Sequence, residues 1–230
     1  MKMFRKFNDI DTDFIRSDQH IHSTWGDGKA GIRQIVDKAE EMSLKQIAIT
    51  EHVRFESEYF NKYKIEVSNI GSKSSVQVLL GLEARIKNFD GELDISKEVL
   101  KKVKIKIASV HRFSFGRRLY YPDQFKKNIC QEIELELAIA SLSKGMCNVL
   151  GHPGGMSLRF HKEFPLNYFE EIIVSCKKNG IAFELNSAYH LPVFGQLKIL
   201  LKRYNPFVSL GSDAHNIKDI GNWIVNFGKN

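Results

Sequence analysis

Two histidines two residues apart, His20 and His22, open the chemistry of this chain, and Asp27 follows in the turn Gly26-Asp27-Gly28. If the run that starts at Phe14 is a strand, both imidazoles point to one face, because strand side chains alternate. Two imidazoles side by side can hold a metal ion, and the turn brings a carboxylate back toward it. An ordinary strand with two surface histidines looks the same, so the way the later strands end decides between the two.

They end alike. His52, Glu83, His111, His152, Asn186 and the pair Asp213/His215 each follow or close a short apolar run, and six of the eight histidines lie at such ends. His161 and His190 fall in apparent loops and read as ordinary or supporting residues. Any one member reads equally well as a rim histidine satisfied by a backbone carbonyl. The set does not, because so many imidazoles and carboxylates at one pole are costly without cations. The donors are nitrogen and oxygen with no thiolate, which points to Zn, Mn or Fe. Nine potential ligands (His20, His22, Asp27, His52, Glu83, His111, His152, Asp213 and His215) exceed what one ion takes. Two or three divalent ions are expected, with Glu83 suited to bridge.

The elements that must position these groups alternate. Gly31 to Ser43 carries Ile32, Ile35, Val36, Ala39 and Met42 at helical spacing. Gln46 to Thr50 is a buried strand, 56 to 70 a helix, and Val76 to Leu82 an apolar strand. A short helix from Ile95 to Val103 and a strand from Lys104 to Val110 follow. In that region Lys101, Lys102, Lys104 and Lys106 alternate with Val103, Ile105 and Ile107, one wet face against one buried face. Pro122 stands where a helix can start, and Phe125, Ile129, Ile133, Leu137 and Ala140 mark a long helix to about Lys144. Strands at Met146 to Leu150, Ile181 to Leu185 and Phe207 to Leu210 alternate with helices at Asn167 to Lys178 and Phe194 to Arg203. A short helix from Ile217 to Phe227 closes the chain. Some seven strand–helix repeats imply an α/β fold with a parallel sheet, either a barrel or an open doubly wound sheet. No Gly-x-Gly-x-x-Gly follows a strand, which speaks against a dinucleotide site.

Composition agrees with a globular domain: 230 residues, 43% hydrophobic and 27% charged, with no linker-like break, so a single domain over 1–230 is expected. The basic stretch Met1 to Asn8 precedes no apolar core, so no signal peptide is expected, and no run approaches the roughly 20 apolar residues that span a bilayer. Cys130, Cys147 and Cys176, odd in number and widely spaced, read as thiols of a reducing compartment, the cytoplasm. A net charge of +7 suits an anionic substrate or nucleic acid, or simply a lysine-rich solvated surface.

His20-x-His22 with Asp27, Thr50-Glu51-His52, Gly81-Leu82-Glu83, Ser109-Val110-His111, Gly151-His152-Pro153 and Ser212-Asp213-Ala214-His215 resemble, in order, the motifs of the PHP (polymerase and histidinol phosphatase) domain. The resemblance implies a distorted (β/α)7 TIM-like barrel and a trinuclear site. One metal would be held by His20, His22, Glu83 and Asp213, a second by Glu83, His111 and His152, and a third by Asp27, His52 and His215. Glu51 stands where the family more often has Asp, which implies a longer supporting contact.

Such a cluster suits phosphate ester hydrolysis by a metal-bridging hydroxide, with Glu83 bridging and Asp213 or a metal-bound water supplying the leaving group's proton. Arg54, Arg117, Arg118 and Arg159 follow strand ends and are candidate phosphate ligands, or surface arginines. Phe113, Phe115, Tyr120, Tyr121 and Phe160, in the loops Phe113 to Asp123 and Gly154 to Pro165, line the alcohol pocket or pack those loops down. The expectation is a phosphomonoesterase resembling the stand-alone histidinol-phosphatase branch, acting on a small phosphate ester. The alternative is a phosphodiesterase or nuclease using the same metals, although no nucleic-acid module is recognisable. An amidohydrolase would need a metal-bridging lysine where His111 stands, and a degenerate binding protein would lack a ligand.

Overall fold

A computed structural model describes residues 3–116 and 118–223. The chain opens with β1 (Arg5–Lys6), α1 (Thr12–Ile15), β2 (Ser17–Ile21), α2 (Ile32–Glu41), β3 (Gln46–His52), α3 (Phe60–Gly71) and β4 (Gln77–Arg85). The middle holds α4 (Lys97–Leu100), β5 (Ile105–Ser109), a hairpin of β6 (Phe113–Phe115) and β7 (Arg118–Tyr120), and α5 (Lys127–Lys144). The last third runs through β8 (Val149–Leu150), α6 (Gly155–His161), α7 (Leu166–Asn179), β9 (Ala182–Asn186), α8 (Phe194–Tyr204) and β10 (Phe207–Gly211).

The main sheet has the order β1-β10-β9-β8-β5-β4-β3-β2, with β1 antiparallel and the other seven strands parallel. Each parallel strand is followed by a crossover, as the period-two and period-3.6 runs require. The ladder does not return from β2 to β10. That seam is joined instead by one parallel bridge, Ile21 with Ala214, and by the His22 N–H donating to Ala214 O at 3.0 Å. Deeper in the seam, Ser209 Oγ donates to Gln19 Oε1 at 2.7 Å, and Gln19, Gln46 and Gln77 continue the chain of amides across β3 and β4. The wall is therefore a TIM-like sheet curled on itself and stitched at the seam rather than a fully paired barrel.

Alternation sets the core. Ala48, Ile105, Ile107, Val149 and Ala182 pack together as a small cluster within the curled sheet. Their strand neighbours Ile47, Ile49, Phe183 and Leu185 face outward and join α2, α3, α7 and α8 in the larger cluster. On α2 the buried residues are Ile32, Ile35, Val36 and Ala39, the stripe the spacing marks.

Several expected boundaries shift. The strand ending at Leu150 shrinks to two residues, and the helix placed at 95–103 to one turn. The two loops reaching over the rim are built, not irregular: one contains the β6–β7 hairpin, the other contains α6. A helix after two consecutive glycines is invisible to propensity. This one forms because Glu134, buried on α5, accepts from the Met156 and Ser157 N–H groups and from the Ser157 hydroxyl. Of the closing helix expected over 217–227, the described part is a 3-10 turn at Ile217–Asp219 and helical backbone at residues 222–223, and residues 224–230 lie outside the described residues. No helix among the described residues is long and apolar enough to cross a membrane.

Two predictions test this packing. Phe169 on α7 is 1% exposed and meets Phe164 and Phe183, so Phe169→Ala should cost about 3–5 kcal/mol in urea unfolding. Ile199 on α8 is 63% exposed, and its alanine variant should stay within about 0.5 kcal/mol of the parent. His190 is fully buried. Its Nδ1 accepts from the Asn186 N–H, and its Nε2–H donates to Pro153 O at 2.8 Å. Burial pushes its pKa from 6.5 down to about 4, so the unfolded chain takes up this proton first as pH falls. Its contribution is complete above the unfolded value and drains away between the two, for a total of about 3 kcal/mol. His190→Gln should remove that part of the acid sensitivity, read as a shallower fall of stability from pH 6.5 to 4.

Candidate metal centre

The parallel sheet puts every C-terminal strand end on one rim, and the rim carries the nine expected ligands. Glu83, near the end of β4, is at their centre. Its Oε1 lies 3.1 Å from His111 Nε2 and 2.9 Å from His152 Nε2. Its Oε2 lies 2.9 Å from His52 Nδ1, 3.5 Å from His20 Nε2 and 3.6 Å from His22 Nε2. One buried carboxylate thus faces five imidazoles. On one side His20 Nε2 and His22 Nε2 are 3.1 Å apart and Asp213 Oδ1 is 3.5 and 3.1 Å from them. On the other side Asp27 is 3.5 Å from His52 and 3.2 Å from His215.

Three groups have ligand atoms close enough to share an ion: His20, His22 and Asp213; His52, Glu83 and His111; and Asp27, His22, His52 and His215. These overlap the sets implied by the resemblance but are not identical to them. His22 and His52 each face two groups, and His152 reaches Glu83 without joining a group. The donors fit divalent cations. Imidazole nitrogens and carboxylate oxygens converge with no thiolate, and buried Glu83 Oε2 and His22 Nδ1 make no hydrogen bond among the described residues.

Electrostatics point the same way. Burial opposes the charged forms throughout, but the carboxylates outweigh it at His20, whose pKa rises well above the usual value under Glu184, Glu83 and Asp213. Burial likewise yields to Glu83 and Asp27 at His52, which rises to about 10. His22 goes the other way, to about 4, through burial and its imidazole neighbours. Asp213 is held well below the carboxylate range because His20 and His22 overcome burial, and Glu83 is lowered likewise by His111, His20 and His52.

Buried groups behind the rim fix its geometry. Glu184 of β9 accepts from His20 Nδ1 at 2.7 Å, from the His152 N–H at 2.5 Å and from Asn186 Nδ2 at 3.1 Å. An ionised carboxylate can only accept, so His20 carries its proton on Nδ1 and leaves Nε2 free for a cation. Gly211 makes room for this pair, since a Cβ there would collide with the Glu184 carboxylate and His20. Asp18, also buried, accepts from the Ser212 and Gly221 N–H groups and so anchors the loop that carries Asp213 and His215. Glu51 meets the Ser23 N–H at 2.7 Å, so its extra methylene produces no long contact, because Gly26 leaves space beside it. His152 (φ 27°) and Asp213 (φ 53°) sit in left-handed backbone, a strained conformation at two ligand positions.

Asn186, read as a rim group, turns inward as a support for Glu184 and the Ala188 N–H. Glu184 was missed, although a charge inside an otherwise apolar strand signals a buried partner. Asp18 and Glu134 carry no comparable signal.

A cavity of about 340 Å³ opens over the cluster. Arg54 and Arg159 line it as expected. Arg118 does not: the hairpin holds it exposed on β7, away from the lining, because a three-residue strand pair points alternate side chains outward. Arg117 lies outside the described residues. Tyr121 and Phe160 face the cavity, whereas Phe113 is buried against Phe125, and Phe115 and Tyr120 pack on that same ring. Arg85 and Arg112 also line it and went unnoticed, although they follow Glu83 and His111 as closely as Arg54 follows His52.

Comparison with known proteins agrees with this geometry. The chain is 25% identical over 220 residues to a "Probable phosphatase" of Caldicellulosiruptor bescii, covering 90% of this chain and 83% of that one. It is 27% identical over 216 residues to the "DNA polymerase/3'-5' exonuclease PolX" of Bacillus subtilis, covering 89% of this chain but 35% of that protein. The fold superposes on a HisK-type protein of Listeria monocytogenes with a TM-score of 0.76 at 19% identity, over 92% and 99% of the two chains. The histidinol phosphate phosphatase of Lactococcus lactis, solved with zinc, L-histidinol and phosphate, matches with a TM-score of 0.69 at 21% identity, over 92% and 93%. The PHP domain family model matches residues 18–188, the span from the first histidine pair's strand to the turn beyond β9, and the chain therefore belongs to the PHP domain family.

Proposed function

We propose that the chain, as one domain over 1–230, is a metal-dependent phosphatase that hydrolyses a small phosphomonoester at a site for three divalent ions, Zn, Mn or Fe. The observation that carries this is Glu83, buried and in reach of five histidines at the floor of an arginine-lined cavity. His20, His22 and Asp213 would hold one ion, His111, His152 and Glu83 a second, and Asp27, His52 and His215 a third, with Glu83 shared. When bound, such ions neutralise phosphate oxygens and lower the pKa of water near neutrality.

The chain's own groups do the rest. Arg159 lies beside the Tyr189 hydroxyl, and the Tyr189 ring is 5.0 Å from His152, tilted by 41°, so this guanidinium is placed to hold a phosphate oxygen above the cluster. Arg54 borders the same cavity two residues beyond His52. Asp213 is ionised among its histidines, which suits holding a cation better than donating a proton. A nucleic-acid substrate is the competing reading, favoured by the likeness to part of an exonuclease-bearing polymerase. The cavity of about 340 Å³, sized for a small molecule, favours the monoester.

Elemental analysis of the purified protein should find more than one divalent metal per chain. The protein should cleave an aryl phosphate with Mn or Zn and lose that activity to a chelator. His22→Ala and Asp213→Ala should each lower kcat/KM more than about 100-fold while far-UV circular dichroism stays unchanged. A phosphodiester or oligonucleotide cleaved faster than every monoester would favour the nuclease reading. Glu184→Gln keeps the shape but weakens the hold on His20, and should lower metal affinity, measured by chelator competition, about 10–100-fold.

A further inference from the structure

The cavity holds more positive charge than a phosphate needs. Apart from the candidate ligands, its charged lining is Arg54, Arg85, Arg112, Arg159 and Asp94. Asp94 is taken by Arg85 at 2.9 Å, and Arg85 also donates to Ser114 Oγ at 2.9 Å. Among the described residues no carboxylate lies within ion-pair distance of Arg54, Arg112 or Arg159. The ligand carboxylates Asp27, Glu83 and Asp213 together with a phosphate dianion roughly balance two or three divalent ions. Arg159, beside Tyr189 at the cluster, can join the phosphate. Arg54 and Arg112 then face the rest of the substrate with no counter-charge.

Arg112 is held for a purpose of this kind. Its Nη2 donates to the Tyr121 hydroxyl at 2.6 Å, and its guanidinium carbon lies 4.3 Å from the centre of the Tyr121 ring. Stacking on a ring and one hydrogen bond fix the planar fork while leaving its other N–H groups free, the preparation a guanidinium needs to grip a carboxylate or phosphate with two bonds. Leu119 and Tyr121, on and just after β7, complete the lip beside it. An ammonium on the alcohol half of a substrate would enter beside the like charges of Arg54 and Arg112.

We infer that this site, on the phosphatase reading above, selects phosphomonoesters whose alcohol half carries a second anionic group, a carboxylate or another phosphate, and that Arg112 is the residue that reads it. Amino-alcohol esters such as histidinol phosphate are then poor substrates.

The test compares kcat/KM of the Mn-loaded protein for three esters of similar size: 3-phosphoglycerate (carboxylate), glycerol 1-phosphate (neutral) and O-phosphoethanolamine (ammonium). p-Nitrophenyl phosphate serves as a reporter of the chemistry itself. The carboxylate ester should exceed the ammonium ester by at least about tenfold at low ionic strength. Arg112→Gln should close most of that gap, chiefly by raising KM for the carboxylate ester. Tyr121→Phe, which keeps the ring and removes the hydroxyl, should close part of it, and this second variant guards against misfolding of the first. Equal or reversed preference, or a gap untouched by both variants, overturns the inference while aryl phosphate cleavage leaves the phosphatase reading standing. Absence of cleavage of every monoester overturns both.

Discussion

A buried carboxylate surrounded by imidazoles is the condition on which this structure depends. Glu83 is 1% exposed, and its neighbours His20, His22 and His152 are equally deep, at 0 to 2%. The opposite charges act on one another across the cluster: the carboxylates raise His20 and His52, and the imidazoles lower Glu83 and Asp213. Divalent ions supply positive charge without protons and leave each ring nitrogen as a donor. The fold thus gathers nitrogen and oxygen lone pairs at spacings that suit a divalent cation.

Holding that arrangement takes a layer of buried polar groups beneath the rim. Glu184 joins His20 to the His152 backbone, Asp18 ties down the loop after β10, and His190 locks Pro153. Each links strands far apart in sequence, so the rim is set by cross-strand bonds rather than by each loop alone. The seam between β2 and β10 follows the same logic. Strand pairing fails there, and the bridge at Ile21 and Ala214 restores contact beside His22 and Asp213, where two ligand-bearing edges must meet. The left-handed backbone at His152 and Asp213 is tolerated because these bonds over-determine it.

The arginines that line the cavity are carried differently. Arg54, Arg112 and Arg159 are carried by segments that leave the rim, and two of those segments are the hairpin and α6. The floor of the cavity is rigid and strand-borne, whereas its walls belong to crossovers, where side chains can vary without disturbing the ligands.

The candidate ligands other than Asp27 were legible in the sequence because they lie at the ends of apolar runs, and strand periodicity with strand-end placement is a local property. The seven-fold alternation and the parallel sheet were legible for the same reason, as was the N,O donor set. The seam, the short β8, the hairpin and α6 were not. The seam and α6 depend on contacts between residues far apart in the chain, such as Glu134 with the start of α6, more than twenty positions away. Nor was the role of Glu184, Asp18 or Arg112 visible, because whether a charged side chain is buried, paired or left facing a cavity depends on neighbours that the chain order does not specify. Local pattern determined which groups could bind metal; only the folded arrangement decided which of them lie close enough to share an ion, which hold them in place, and which side chains line the cavity above them.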